Sequence, residues 1–159
     1  MRCSFSLPNP AINDKRFIRK AAARQDKLGL PNLRFICENA RFLPSWFGPG
    51  EVGRIYINFP DPWPKDRHAK RRLPSRQFLE RFSHILKDDG QIEFKTDNKD
   101  LFAFALEEIT PGGFELIEVT HDLHNDEKMN IGNIMTEYEA KFSALGNPIC
   151  KYIIRKAKK

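Results

Sequence analysis

The stretch that decides the fold spans 54–64 and reads Arg-Ile-Tyr-Ile-Asn-Phe-Pro-Asp-Pro-Trp-Pro. Its first half is rich in β-branched and aromatic residues, which predicts a buried strand over 54–59. The three prolines that follow cannot continue a strand ladder or a helix, so a loop must begin there. Asp61 and Trp63 therefore lie just beyond the carboxyl end of a strand, where open α/β sheets bind their ligands.

A cationic cluster follows this loop directly. Positions 65–72 contain one acid, Asp66, one histidine, His68, and five basic residues, which are Lys65, Arg67, Lys70, Arg71 and Arg72. Such a density attracts phosphates, because neutralising them releases condensed counterions. The alternative for a bare basic run is a solvated charged surface. Its attachment to an acid and an aromatic ring on one loop favours nucleic-acid chemistry.

The whole chain is moderately basic. It has 159 residues, 27 Lys+Arg against 21 Asp+Glu, a net charge of +6 and a pI near 9.3. The length suits a single domain over 1–159, with an atypical N-terminal segment at 1–14 and a basic tail at 156–159. The charge favours a polyanionic partner such as nucleic acid.

Several classes of protein are disfavoured by what the sequence contains. Cys3, Cys37 and Cys150 are an odd number without metal-binding spacing, so we expect neither a disulfide framework nor a zinc ribbon. His121 and His124 have no third ligand at a suitable spacing, so no metal is predicted. No stretch is long and apolar enough for a membrane span, and we expect a cytoplasmic protein.

Hydrophobic periodicity predicts alternating strands and helices. The helices are expected over 15–28 after a cap at Asn13 or Asp14, from a cap at Ser75 to Gly90, over 99–109, and over 136–145. The second of these helices is predicted to be amphipathic, with one apolar face formed by Phe78, Leu79, Phe82, Ile85 and Leu86. The strands are expected over 33–37, 54–59, 91–96, 114–120 and 149–155, with a long loop over 121–135. The pattern predicts a mostly parallel sheet with helices on both faces, in which the last two strands can pair differently.

Three motifs in series now stand out. They are Asn58-Phe59-Pro60-Asp61-Pro62-Trp63-Pro64-Lys65 with the basic run, Phe94-Lys95-Thr96-Asp97-Asn98, and Met135-Thr136-Glu137-Tyr138-Glu139. Their order and content resemble the bacterial tRNA (guanine-N7-)-methyltransferase family from about Leu30 to Ile154. The resemblance implies a Rossmann-like class I methyltransferase fold that transfers a methyl group from S-adenosylmethionine to guanine N7 in the variable loop of tRNA.

The resemblance also implies roles for individual residues. Asp61 matches the active-site aspartate, which also lines the methyl-donor pocket, and Asn39 matches a donor-binding position. The positions that match substrate contacts are Lys65, Asp97, Thr136, Glu137, Tyr138 and Glu139. The residues that match the RNA-contacting run are Arg67, His68, Lys70, Arg71 and Arg72. Structural alternatives remain open: Asp97 as a helix cap, Thr136 with Glu139 as a capping box, and Trp63 as a packing residue.

The chain departs from the family pattern before the Lys15 helix. The Gly-rich donor loop after the first strand, and the acid after the second, have no counterpart here, since no glycine precedes Gly29. We therefore expect an N-terminally truncated version of the fold with an exposed edge at the 54–59 strand. The alternating segment 2–7 is a candidate to pair with that edge.

The chemistry leaves three functions to distinguish. Guanine N7 has a lone pair and no proton, so its methylation requires no general base, and Asp61 would orient the reactants and favour the positive charge that develops. A methyltransferase for exocyclic amines, whose amine must lose a proton, is a second interpretation. A tRNA-binding remnant or partner subunit without its own catalysis is a third.

Overall fold

The computed structural model describes residues 2–5, 15–36 and 38–158. The described helices are α1 (Lys15–Leu28), α2 (Arg76–Ile85), α3 (Lys99–Glu108) and α4 (Glu137–Ala144). The strands are β1 (Arg2–Phe5), β2 (Val52–Asn58), β3 (Leu86–Thr96), β4 (Phe114–Thr120) and β5 (Cys150–Lys156). Short 3₁₀ helices span Ala40–Ser45, Asp66–Arg71 and Leu123–Asn125. Across these ranges, no helix combines the length and the apolar content that a membrane span requires.

The described strands form one sheet in the order β1-β2-β3-β5-β4. β1, β2 and β3 are parallel, whereas β5 is antiparallel to both β3 and β4. Strands and helices alternate along the chain as the sequence predicts, and the different pairing of the last two strands is confirmed. Because β5 runs the other way, its first residues lie at the same edge as the carboxyl ends of β2, β3 and β4.

One face of the sheet forms the main core. Register partners place Ile57, Phe94 and Tyr152 side by side on three adjacent strands, and all three are buried. Phe102 of α3 stacks on Phe94 with ring centroids 6.1 Å apart. The apolar face predicted for α2 joins the same core with Phe78, Leu79, Phe82 and Ile85. Burial of each such side chain contributes about 1.5–3 kcal/mol, so this face accounts for much of the stability of the fold.

The opposite face of the sheet has a different character. Lys95 of β3 and Lys151 of β5 are register partners there, and both are buried. A small cluster of Leu123, Met129 and Ile149 covers this face together with Phe59 and Ile153. The long segment between β4 and α4 therefore packs on the face opposite α3.

The N-terminal strand β1 pairs with the edge of β2, as the alternating pattern of the N-terminal segment predicts. β1 pairs in parallel with β2, and Arg2 is the register partner of Arg54. Ser6 and Leu7, which belong to the same predicted segment, lie outside the described residues. The edge predicted to be exposed at the 54–59 strand therefore has a strand beside it.

Other boundaries differ from the predictions. The strand predicted over 33–37 does not form: residues 33–36 have no regular structure, because no described strand lies beside them to pair with, and Cys37 lies outside the described residues. α2 ends at Ile85 instead of Gly90, because Leu86 already pairs with Val52 of β2. The proposed caps Asn13 and Asp14 are also outside the described residues.

The predicted basic tail begins later than expected. Lys156 is the last residue of β5 and its ammonium lies 3.1 Å from Asp88. The N–H of Ala157 donates to the carbonyl of Gly113 at 3.0 Å. Sheet pairing to β4 therefore orders the first residues that composition alone assigns to a tail.

Candidate functional site

Two residues of the loop after β2 have a left-handed backbone. The φ angle is 49° at Phe59 and 44° at Trp63, a region that costs a residue with a side chain about 1–3 kcal/mol. Such conformations persist where surrounding contacts hold them. The N–H of Phe59 donates to the carbonyl of Lys95 in β3 at 2.8 Å. The loop that carries Asp61 is therefore held in one strained shape by the neighbouring strand.

Arg72 holds the other end of this loop. Its Nε donates to the carbonyls of Pro62 at 3.1 Å and Trp63 at 3.2 Å, and its Nη2 donates to Trp63 at 3.1 Å. Its guanidinium also lies 4.5 Å from the ring centroid of Phe104, and its side chain is only 11% exposed. The family resemblance implies that Arg72 contacts RNA, but in the structure its guanidinium is hydrogen-bonded to the backbone of the loop.

The other cations of the basic run face outward. Lys65, Arg67, Lys70 and Arg71 are exposed, and most of them lie on the 3₁₀ helix Asp66–Arg71. The guanidinium of Arg71 lies 5.2 Å from the centre of the Trp63 ring. The run thus presents a surface of positive charge beside an indole ring, which suits phosphates and bases.

His68 contributes differently from its basic neighbours. Its ring meets Trp63 edge-on, with centroids 5.5 Å apart. Desolvation, followed by the charges of Arg71, Arg67 and Lys65, lowers the pKa of His68 below 6.5. His68 is therefore mainly neutral near pH 7 and adds an aromatic edge and not a charge.

Asp61 lies between the two strained residues and is half-buried. Burial raises the pKa of its carboxyl above the ordinary value of 3.8. Nearby in the chain, the Oδ1 atom of Asn58 is buried and has no hydrogen-bond partner within the described residues. Buried acceptors are almost always satisfied, so the end of β2 offers an acceptor that a bound molecule can use.

Asp97 follows β3 at the same edge of the sheet. Asn98, and not Asp97, caps α3, because the Asn98 side chain accepts from the N–H of Leu101 at 2.7 Å. The hydroxyl of Tyr138 lies 3.5 Å from each carboxylate oxygen of Asp97. The Asp97 side chain is thus available to the site and faces the aromatic residue of the third motif.

Tyr138 connects the three motifs. Its ring lies 4.7 Å from that of Phe59 and 4.2 Å from that of Phe142, measured between centroids. Burial, followed by the charge of Asp97 and the hydrogen bond to it, raises the pKa of Tyr138. The hydroxyl therefore stays protonated and remains a hydrogen-bond donor. The structure brings together the Asp61 loop, Asp97 and the Thr136–Glu139 segment.

The Thr136–Glu139 segment begins α4 with the predicted capping box. Thr136 Oγ1 accepts from the N–H of Glu139 at 3.1 Å, and the Glu139 carboxylate lies 3.5 Å from the N–H of Thr136. Glu137 and Tyr138 are exposed, whereas the Glu139 side chain is fully buried. Of the four residues that the motif suggests for substrate contact, Glu139 faces inward.

The buried carboxylate of Glu139 has a lysine partner that the sequence analysis did not single out. Lys95 Nζ lies 2.7 Å from Glu139 Oε2, and Asn133 Nδ2 donates to Oε1 at 2.9 Å. Burial alone would raise the pKa of Glu139, but the bonds from Lys95 and Asn133 and the lysine charge outweigh it and lower that pKa. The available signal was a lysine between Phe94 and Thr96, near the carboxyl end of the strand predicted over 91–96.

Asn39 has a local structural role. It caps the 3₁₀ helix Ala40–Ser45, because its Oδ1 accepts from the N–H of Arg41 at 3.0 Å. Residues 33–36 are not a strand, so the predicted strand that would have ended just before Asn39 does not position it. Its side chain is exposed, and its amide nitrogen is the atom left to meet a ligand.

A groove of about 460 Å³ lies next to this region, between α3 and the start of β5. Cys150, in its wall, is the register partner of Thr96 at the end of β3, so the groove opens at the same edge as Asp97. Its walls are mainly apolar, and its polar lining residues are Lys99, His121, Asp122 and Cys150. Asp61 and Tyr138 do not line it.

The two histidines considered as metal ligands have other neighbours. His121 meets Phe102 edge-on at 5.1 Å, and His124 Nε2 lies 3.3 Å from Glu139 Oε1 without hydrogen-bond geometry. Over the described ranges, no three His, Cys, Asp or Glu residues are grouped as metal ligands.

Comparison with known proteins identifies the family of this chain. A family model described as "Putative methyltransferase" matches residues 13–152. A tRNA (guanine-N(7)-)-methyltransferase from Lachnoclostridium phytofermentans is 46% identical over 156 residues, which cover 94% of this chain and 72% of that protein. This chain belongs to the tRNA (guanine-N(7)-)-methyltransferase family. The resemblance inferred from its three motifs is therefore confirmed.

Solved structures of other proteins share the fold of this chain. An rRNA methylase from Streptococcus thermophilus superposes with a TM-score of 0.56 at 13% identity, covering 98% of this chain and 73% of that chain. A SAM dependent methyltransferase from Aquifex aeolicus gives a TM-score of 0.55 at 12% identity, covering 91% of this chain and 65% of that chain. The predicted Rossmann-like methyltransferase fold is confirmed.

Proposed function

We propose that this protein transfers a methyl group from S-adenosylmethionine to N7 of a guanine in the variable loop of tRNA, in the cytoplasm. The observation that carries the proposal is that Tyr138 contacts both Asp97 and Phe59, two residues before Asp61, at one edge of the sheet, on a loop that continues into an exposed basic helix. This arrangement occurs in a chain that belongs to a family of tRNA guanine-N7 methyltransferases.

The reaction does not require the protein to remove a proton from the base. Guanine N7 attacks with its lone pair and carries no proton, so positioning and electrostatics supply the rate. We assign to Asp61 the stabilisation of the positive charge that spreads over the base. Its half-burial strengthens that interaction, because charges interact more strongly away from bulk water.

Asp61 and Asn58 at the end of β2, together with Asn39, fit a methyl donor with a cationic and a polar part. Asp61 and Asn58 Oδ1, which has no partner in the part of the chain that the structure describes, are acceptors at the end of β2, and the Asn39 amide nitrogen is a donor. We propose that Asn39 and Asp61 hold S-adenosylmethionine, with Asn58 as an additional acceptor. When bound, this molecule supplies an electrophilic methyl group on sulfur.

The tRNA is held mainly by charge. We assign phosphate contacts to Lys65, Arg67, Lys70 and Arg71, which are exposed on and beside the 3₁₀ helix. Trp63 and His68 offer aromatic surfaces to an unstacked base. Asp97, Thr136, Glu137 and Tyr138 are proposed to contact the substrate, and Glu139 acts from inside the fold.

The proposal is tested by following labelled methyl groups from S-adenosylmethionine into unmodified tRNA and locating N7-methylguanine by selective strand cleavage. Cleavage in the variable loop is the expected result. Asp61→Asn should lower kcat by about 100-fold, the size expected when one electrostatic contact to the transition state is lost. Its affinity for tRNA should stay within about twofold, because phosphate contacts dominate that affinity.

Asp66→Asn is the matched control, since Asp66 is an exposed acid of the same loop region, 3.9 Å from Arg72 at its nearest. It should retain wild-type kcat. Wild-type protein that binds tRNA without methylating it would instead support the binding-module interpretation. Methylation of an exocyclic amine would support the second enzyme, and equal activity of both Asp variants would refute the role of Asp61.

A further inference from the structure

The buried lysine of β3 contacts both halves of the proposed site. Its main-chain carbonyl accepts from the N–H of Phe59, the strained residue before Asp61, at 2.8 Å. Its ammonium donates to Asn133 Oδ1 at 3.0 Å, to the carbonyl of Ile134 at 3.1 Å and to Glu139 at 2.7 Å. Lys95 therefore joins the Asp61 loop to the segment that precedes and begins α4.

These contacts form a closed cycle, which runs from Lys95 through Glu139, Tyr138 and Phe59 back to Lys95. Glu139 is anchored by Lys95, and Tyr138, one residue earlier, packs against Phe59 with centroids 4.7 Å apart. Phe59 in turn is bonded to the Lys95 backbone. A displacement of Lys95 would therefore move Tyr138 relative to Asp61 and Asp97.

Stability alone gives little reason for a charged pair here. The Lys95 and Glu139 side chains are 7% and 0% exposed, and taking such charges out of water often costs as much as their attraction returns. Apolar residues of similar volume would stabilise a fold as well or better. A buried pair of this kind can instead select one arrangement of the segments that it joins.

We propose that Lys95 is a positioning residue for the methyl transfer, which sets the Tyr138 segment against the Asp61 loop through Glu139. This inference rests on the proposed function. Because Lys95 is not exposed to tRNA, its role is in the geometry of the bound guanine and not in the affinity for RNA.

The test removes both charges together, because a single change would leave the other charge buried and unpaired. The test variant is Lys95→Met with Glu139→Gln. The matched control is Lys151→Met with Glu93→Gln. Lys151 is the register partner of Lys95, equally buried, and its ammonium lies 3.2 Å from Glu93. Among the described residues, Glu93 of the control pair also contacts Arg54 at 3.1 Å and Lys151 contacts the carbonyl of Met129 at 3.4 Å, and neither contact belongs to the Tyr138 segment.

At saturating tRNA, the test variant should have a kcat at least about tenfold below that of the control variant, since small misplacements of reacting groups cost up to a hundredfold. Its affinity for tRNA should remain within about twofold of wild type. A kcat equal to that of the control, or a loss that appears only in tRNA affinity, would overturn the proposal.

Hydrogen exchange of the backbone amides over 133–139 gives an independent readout. Faster exchange in the test variant than in the control supports the positioning role, and equal exchange in both overturns it. Wild-type protein without methyl transfer would refute the proposed function, and the exchange comparison would still decide whether Lys95 holds the segment.

Discussion

Arg72→Ala should separate the positioning of the Asp61 loop from the binding of RNA. The arginine donates to two carbonyls in the loop, those of Pro62 and Trp63. Hydrogen bonds from a charged group contribute about 1.5–3 kcal/mol each and are not additive, so we take the loss of both as about 3 kcal/mol. Since 1.4 kcal/mol is a factor of ten, the population of the ordered loop can fall by roughly a hundredfold.

The expected result is a loss of kcat with little change in the salt dependence of tRNA binding. Arg67→Ala is the comparison, because Arg67 is exposed on the neighbouring 3₁₀ helix. Removal of one phosphate contact should reduce the slope of log K against log salt by about 1 and leave kcat nearly unchanged. The assays are tRNA binding over a series of salt concentrations and methyl transfer at saturating tRNA.

The reasoning would be refuted if Arg72→Ala behaved like Arg67→Ala, with a smaller salt slope and wild-type kcat. That outcome would mean that the guanidinium leaves the loop carbonyls to bind RNA. Arg72→Lys should give an intermediate kcat, because an ammonium keeps the charge but cannot reproduce the planar fork of donors.

Two further predictions concern stability. Tyr152 is fully buried and its hydroxyl has no partner within the described ranges. Tyr152→Phe should therefore raise the free energy of unfolding by about 1 kcal/mol and Tm by roughly 2–4 °C. A fall in Tm would instead mean that the hydroxyl has a partner. The folded protein lowers the pKa of Glu139 from 4.5, so the stability that its ionised form contributes is present above that pH and lost as pH falls through the folded pKa. The advantage of wild type over Glu139→Gln in urea unfolding should be largest near neutral pH and shrink below about pH 4.5, and a constant difference would contradict this.

Local patterns allowed much of the fold to be predicted. The capping box of Thr136 and Glu139 and the apolar face of α2 depend on residues three or four apart, and both formed as expected. The prediction of a strand over 33–37 was wrong because strand formation depends on distant residues. Its residues have β propensity, but a strand also requires a neighbouring strand, and 33–36 have none among the described strands. Propensity alone could not show this.

The candidate site was predictable only in part. The three motifs brought Asp61, Asp97 and Tyr138 to attention, and the structure places Asp97 and Tyr138 at the same edge of the sheet as the Asp61 loop. Lys95 was missed because its partner Glu139 is 44 residues away, a separation that no local pattern encodes. The inward direction of Arg72 was missed because a row of cations does not reveal which one turns back toward its own loop.

The position of β5 constrains the order in which the chain can be assembled during synthesis. It is the last described strand, yet it lies between β3 and β4 and forms the only described bridge between them. Until the ribosome has delivered residues 150–156, β4 has no described strand to pair with, and one side of β3 stays open. Nascent chains are most prone to aggregate while such edges are exposed.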